Sequence, residues 1–293
     1  MKRIGRMWGL AALSAFLWMA DASAQLTLVK DGKAVSRIVL SEKNDINHQA
    51  ADLLQDFVQR ISGASLPIVE GKAKAGDVVI GGKSAEAGED GFTICTEQNQ
   101  LRITSGGDKG SIYGVVTLLE KYMGVSYYAY KTYTLTPSKT ITLPEIHLSE
   151  TPAFRYRQSF SYGCDDPIYK MWFRLEEPDE VFIDNMWVHT FDRLMPSDVY
   201  GKEHPEYYSY INGEHRPGNH SQWCLTNPDV YNFVVQKLDS IFKANPDKKL
   251  ISVSQNDGNN TFCACENCRK VYEEEGSPAG AYIRFMNKLA ERF

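Results

Sequence analysis

The period of the apolar positions changes along the chain. Short alternating or continuous apolar runs at Gln25–Val29, Arg37–Leu40, Asp77–Ile80, Gly91–Thr96 and Gln100–Thr104 predict strands, the last two joined by the polar turn Glu97-Gln98-Asn99. Between the early and late runs, Ala50, Leu53, Leu54, Phe57, Val58 and Ile61 recur at helical spacing within Asn47–Ile61 and give way at Gly63. A second helix is expected from Lys109 to Tyr122, with Tyr113, Val116, Leu118 and Leu119 on its apolar side and Gly124 as its terminator. Strands mixed with amphipathic helices predict a small layered α/β domain over residues 25–150. Pro137, Pro144 and Pro152 punctuate residues 135–153, which read as a linker or edge strand and set the boundary near 150.

From Ala153 onward the order becomes strand, loop, strand, long loop, helix, strand, helix. The strands are expected at Arg157–Tyr162, Asn185–Phe191 and Leu250–Ser254. Asn227-Pro228-Asp229 supplies an N-cap, a proline at the first helical position and an early acid for a helix that ends before Pro246. Its buried face would be Val230, Phe233, Val234, Leu238, Ile241 and Phe242, and a later helix starts at Ser277-Pro278. Strands alternating with helices imply an open α/β sheet or a β/α barrel. Only about three βα units follow residue 150, whereas a closed barrel needs eight. The expected fold class is therefore α/β, a small N-terminal domain followed by an incomplete β/α (TIM-type) barrel over residues 151–293, part of a longer protein.

Residues 1–24 are expected to be removed. Lys2, Arg3 and Arg6 precede an apolar run from Met7 to Met19, and Ala22-Ser23-Ala24 has the small-x-small pattern of a signal-peptide cleavage site before Gln25. The run is shorter than the roughly 20 residues of a spanning helix, so export to periplasm, cell surface or medium is expected, with no membrane span after cleavage. A formal charge of −5 with no basic stripe makes nucleic acid an unsuitable partner.

Candidate chemistry gathers after residue 150. Residues 151–223 hold 15 Phe, Tyr and Trp in 73 positions, against 12% aromatic residues in the whole chain, which suggests a sugar-stacking surface as well as a core. Trp172, Phe173 and Phe182 fit the core; Tyr207, Tyr208, Tyr210 and Trp223, in polar loops, fit the surface. Asn185–Phe191 reads as a barrel strand, and its polar end brings Trp187, His189 and Arg193 to the face where such barrels bind ligands. Asn256, Asp257 and Gly258 close the Leu250–Ser254 strand in the same way, making Asp257 the candidate catalytic carboxylate and Asn256 a substrate contact. Glu206 and Glu214 read as solvated loop charges or substrate contacts. One Asp does not supply the pair of carboxyl groups most glycosidases need. Cys263-x-Cys265-x-x-Cys268 with Cys224 forms either a four-cysteine zinc site or disulfides, the latter expected in an exported protein. No cofactor is required by this chemistry. No Walker loop, G-x-G-x-x-G, H-E-x-x-H or G-x-S-x-G occurs, so nucleotide, zincin and serine-hydrolase chemistries lack support.

Ile61-Ser62-Gly63 with Leu66-Pro67-Ile68, and Gly110-Ser111-Ile112-Tyr113-Gly114 before Leu118-Leu119-Glu120, resemble the α/β domain preceding the barrel in hexosaminidases and α-glucuronidases. His204-Pro205-Glu206-Tyr207-Tyr208, Cys224-Leu225-Thr226-Asn227-Pro228 and Asn256-Asp257-Gly258, followed by the Cys cluster, are similar to the uncharacterised-domain family 4838. That family includes glycoside hydrolase family 163, endo-acting β-N-acetylglucosaminidases on N-glycans. The resemblance implies a retaining glycosidase whose N-terminal domain supports a catalytic barrel. In related barrels the acid follows the fourth strand, which places the second carboxylate beyond Phe293 and leaves Asp257 to catalyse or to orient substrate. The alternative is a non-catalytic glycan-binding protein that keeps the aromatic platform; a structural metal-binding module is a third reading.

Overall fold

The computed structural model describes residues 25–107, 109–218, 221–248, 250–258 and 262–293. The expected signal peptide, residues 1–24, lies outside the described residues. The described residues form two compact units, one running as far as Arg155 and including Ser161–Arg174, the other Tyr156–Phe160 with Leu175–Phe293.

The first unit carries β1 (Leu26–Lys30), β2 (Lys33–Ala34), β3 (Ile38–Leu40), α1 (Asp45–Ser62), β4 (Ile68–Glu70), β5 (Val78–Lys83), β6 (Phe92–Glu97) and β7 (Gln100–Ser105). After these come α2 (Gly110–Tyr122), β8 (Val125–Ala129), β9 (Thr132–Leu135), β10 (Ile141–Leu143), β11 (His147–Glu150) and α3 (Pro167–Phe173). The main sheet has the order β11-β6-β7-β5-β3-β4, with β7, β5, β3 and β4 parallel and β6 antiparallel to both its neighbours. Ile38, Leu40, Val78, Ile80, Phe92, Ile94, Leu101 and Ile103 recur at every second position and bury one sheet face against Leu54, Phe57 and Val58 of α1 and Val116 and Leu119 of α2.

Local chemistry agrees with this layering. Asn44 caps α1 by accepting a hydrogen bond from the Asn47 amide at 2.8 Å, and Gly63 ends it in the left-handed region at φ +83°. Gln98 and Asn99, at φ +51° and +56°, make the two-residue β6–β7 turn twist with the strands. Gly110 opens α2 where a Cβ would lie 2.0 Å from the Gly91 carbonyl oxygen, so only glycine admits this approach.

The stretch expected as linker or edge strand contributes two strands to this unit: β10 pairs with β1, and β11 forms the sheet edge beside β6. Ser161–Arg174 also returns to the first unit, where Trp172 packs on Phe57 at 5.0 Å and Tyr127 at 5.1 Å and donates its indole N–H to Glu120 at 2.6 Å.

Arg37 holds Asp77 through two hydrogen bonds, Nε to Oδ1 at 3.1 Å and a terminal nitrogen to Oδ2 at 2.6 Å. Burial alone would raise the Asp77 carboxyl, but the guanidinium and the Lys74 amide together hold it below the usual carboxylate range. Protonation therefore favours the unfolded chain: this contribution is present above the ordinary carboxyl value near 4 and is lost as pH falls through the lower folded value. In urea titrations the first unit should weaken below about pH 4. Asp77→Asn should lack that component and cost about 1.5–3 kcal/mol at neutral pH. A variant with the wild-type acid profile would show that the pair does not contribute.

The second unit contains the short helices α4 (Pro178–Val181), α5 (Phe191–Leu194) and α6 (Ser197–Tyr200), a hairpin of β12 (Tyr210–Ile211) and β13 (Glu214–His215), then α7 (Pro228–Ala244), α8 (Glu266–Glu275) and α9 (Ala279–Ala290). Asn227 caps α7 as expected, accepting from the Asp229 amide at 2.9 Å, and Val230, Val234 and Leu238 are buried with Phe285 and Leu289 of α9.

The strands expected here differ. Arg157–Tyr162 forms no strand. Asn185–Phe191 and Leu250–Ser254 run side by side, with a parallel bridge between Phe182 and Leu250 and hydrogen bonds from Ile183 N to Leu250 O and from Ser252 N to Met186 O. They do not close into a regular ladder, because Asn185 and His189 sit at φ +60° and +50°, outside the extended region. The Thr190 hydroxyl replaces ladder bonds, donating to Ser252 O at 2.8 Å and accepting from Ser254 N at 2.9 Å.

Candidate functional site

The convergence of these two segments sets the candidate site, which lies wholly in the second unit. Phe191 N donates to Ser254 O at 3.1 Å, His189 Nδ1 contacts Gln255 O at 3.0 Å, and Asp192 N donates to Asn256 Oδ1 at 3.2 Å. His189, Arg193 and Asp257 are exposed at this end. The positive φ that breaks the strand at His189 turns the chain so that its ring reaches the neighbouring segment. Trp187 is half-buried and stacks on the exposed ring of Phe160 at 5.9 Å and 20°.

Asn256 is buried and its amide group is committed to the protein. Its Nδ2 donates to Ser221 O at 2.6 Å, while the Gln222 side chain donates to Asn256 O at 2.7 Å and accepts from Asn256 N at 3.1 Å. The residue expected as a substrate contact therefore ties three segments together and holds the backbone entering Asp257. Gln222 has no apolar period around it and carried no signal in the sequence.

Two of the expected platform residues are placed elsewhere. Tyr208 and Trp223 lie in the hydrophobic core, 0% and 1% exposed, joined by an antiparallel bridge. Tyr208 donates its hydroxyl to Met195 O at 3.1 Å, and burial pushes its phenol pKa up. Trp223 stacks on Phe191 at 3.6 Å and 3°. Their polar neighbours in sequence belong to the backbone turns around them, and a satisfied hydroxyl lets a tyrosine enter the core. Tyr207 stacks on His204 at 4.5 Å, and Tyr210 meets His215 edge-on at 5.2 Å. His204 also contacts Glu206 at 3.0 Å; burial raises the Glu206 carboxyl, but hydrogen bonds from its own amide and from His204 bring it below its ordinary value. Glu214 is exposed at the β12–β13 turn.

A cavity of about 560 Å³ opens beside Asp192, with Asp198, Lys202 and Ser197 also on its wall. Both acids occupy first turns of short helices, where carboxylates ordinarily serve the helix dipole, so the sequence offered no reason to single them out.

All six cysteines are free. The sulfurs of Cys224, Cys263, Cys265 and Cys268, expected as a zinc site or as disulfides, lie within 4.8 Å of one another.

Residues 127–293 match the sequence profile of the Domain of unknown function (DUF4838), and residues 24–123 match that of Glycosyl hydrolase family 20, domain 2. No curated protein matches the chain. Among solved structures, the chitobiase of Flavobacterium johnsoniae is 11% identical with a TM-score of 0.41, the match covering 90% of this chain and 48% of that one. An N-acetyl-β-hexosaminidase of Streptomyces plicatus is 15% identical at a TM-score of 0.36, with 75% and 41% covered. A family 20 exo-β-N-acetylglucosaminidase of Vibrio harveyi is 20% identical at 0.31, with 45% and 18% covered. The chain thus spans less than half the length of each of these proteins.

Proposed function

Because the chain belongs to the family of the Domain of unknown function (DUF4838), behind a stretch matching Glycosyl hydrolase family 20, domain 2, we propose that it is the N-terminal portion of an exported glycoside hydrolase acting on N-acetylglucosamine-containing glycans. In this reading the second unit supplies the first segments of a β/α barrel, and the substrate is cleaved by a retaining, endo-acting β-N-acetylglucosaminidase. Among the described residues no helix is long and apolar enough to cross a membrane.

The observation that carries the reading is the junction of the two parallel segments, where the His189–Gln255 and Asp192–Asn256 contacts leave His189, Arg193 and Asp257 exposed at one end. In a β/α barrel this is the end that binds substrate. Asp257 is the carboxylate, acting on the glycosidic oxygen or anomeric carbon; Trp187 with Phe160 offers a ring face to a sugar; Arg193 and His189 donate to hydroxyl or acetamide oxygen. A retaining enzyme whose nucleophile is a carboxylate needs a second carboxyl about 5–5.5 Å from the first. Within the described residues the candidate is Asp192, whose amide is bonded to the side chain preceding Asp257.

The test uses the full gene product on an N-glycan. Asp257→Asn should lower kcat by about 100-fold or more with glycan binding kept, the range expected for loss of an acid or base. Unchanged turnover would remove Asp257 from the chemistry. Glycan binding by the wild-type protein with no turnover would establish the second reading, a glycan-binding protein, which the exposed Phe160 ring stacked on Trp187 favours.

A further inference from the structure

We infer that Cys224, Cys263, Cys265 and Cys268 bind one zinc ion as a closed tetrathiolate site that staples the Trp223–Cys224 segment to the start of α8. The inference is independent of the glycan chemistry.

The spacing of the sulfurs is the first ground. A tetrahedral site with Zn–S bonds of about 2.3 Å sets its sulfurs about 3.8 Å apart, whereas a disulfide needs about 2.0 Å. Cys224 Sγ lies 3.8 Å from Cys265 Sγ and 3.9 Å from Cys268 Sγ. All four sulfurs fall within one 4.8 Å group, which is the arrangement of four ligands about a common centre and not of two bonded pairs.

The surroundings are the second ground. Tyr210 N donates to Cys263 Sγ at 3.2 Å and the Thr226 hydroxyl lies 3.1 Å from Cys268 Sγ, the kind of outer hydrogen bonds that orient thiolate ligands. Ala264 N donates to Tyr210 O at 2.7 Å and Tyr272 donates its hydroxyl to Cys263 O at 2.7 Å, so the ligand-bearing loop is itself held by backbone bonds. Cys224, Cys263 and Cys268 are buried and Cys265 is half-buried, with Tyr210 and Tyr272 packed against them. Calcium and magnesium take oxygen ligands, so four soft sulfurs exclude them. Four protein ligands leave no open position, which makes the site structural. Binding is a plain exchange, in which the ion replaces the four thiol protons, these pass to solvent, and nothing is oxidised or reduced.

Elemental analysis of the full chain, purified without chelator or added metal, tests the assignment. One zinc per chain should survive desalting, and a thiol reagent should find Cys95 and Cys164 reactive while the four cluster thiols react only after a chelator is added. Cobalt(II) exchanged into the site should give the intense visible bands of tetrahedral thiolate coordination. Cys265→Ser, at the half-buried ligand, should weaken zinc retention by about tenfold or more, whereas Cys95→Ser should leave it unchanged. The inference is overturned by metal-free protein whose mass is short by the hydrogens of disulfides, by metal-free protein that takes up neither zinc nor cobalt, or by iron in place of zinc.

Discussion

Stripping zinc from the tetrathiolate cluster should unfold the second unit at a far lower temperature while the first melts unchanged. The ion binds only the folded arrangement, because Cys224 and the Cys263–Cys268 segment are brought together by the fold, so its binding free energy adds to the stability of that unit. At free zinc about a thousandfold above the dissociation constant the contribution is about 4 kcal/mol. In a unit of this size that corresponds to a fall in midpoint of about 10–20 °C. Calorimetry with and without a strong chelator reads this directly: two transitions are expected, with only the one belonging to the second unit moving. Equal shifts of both, or none, would show that the cluster does not hold the unit together. No ligand cysteine lies in the first unit, whose core is built from its sheet, α1 and α2.

Trp223→Ala should cost the second unit about 3–5 kcal/mol, the range for emptying a large aromatic site. Its indole lies flat on Phe191 and edge-on to Phe285 at 6.2 Å, so it joins the α5 segment to α9. Removing it opens a cavity between elements far apart in sequence, and total stabilities of about 5–15 kcal/mol leave little reserve for such a loss. Trp223→Phe should be much milder. The indole N–H has no hydrogen-bond partner, so the smaller ring loses area but also relieves a buried polar group. Denaturant midpoints of the second transition measure both variants, and equal losses would mean that ring size, not the stack, sets the cost.

The first unit was legible because its burial follows simple periods. The 3.6-residue spacing from Ala50 to Ile61 is the buried face of α1, and the apolar runs at Asp77–Ile80 and Gln100–Thr104 became β5 and β7. The strands β8 and β9 were hidden by their shortness, and β10 and β11 were read only as a linker or edge strand because of the prolines around them, since such strands gain their stability from partners distant in sequence. In the second unit the helix cap at Asn227 and the run into Ser277-Pro278 could be read locally, yet α8 could not: Glu266–Glu275 is mostly charged or polar and buries only Cys268. The meeting of Asn185–Phe191 with Leu250–Ser254 was anticipated only as two strand ends. What joins them, the Thr190 hydroxyl and the Gln222–Asn256 exchange, is side-chain chemistry without a period. The same holds for Tyr208 and Trp223, whose polar neighbours suggested a surface and whose partners, Met195 O and Phe191, are revealed only by the fold.

The two buried tryptophans also give each unit its own optical signature. Residues 25–293 contain only Trp172, Trp187 and Trp223. Trp172 donates its N–H to a carboxylate in the first unit, whereas Trp223 in the second is enclosed by Phe191 and Phe285 with its N–H unbonded. An indole held by a charged acceptor and one in a dry aromatic nest emit at different wavelengths and respond differently to an aqueous quencher. In a chain begun at residue 25, with Trp187 changed to Phe, a single fluorescence spectrum would therefore follow the opening of both units at once, each by its own band.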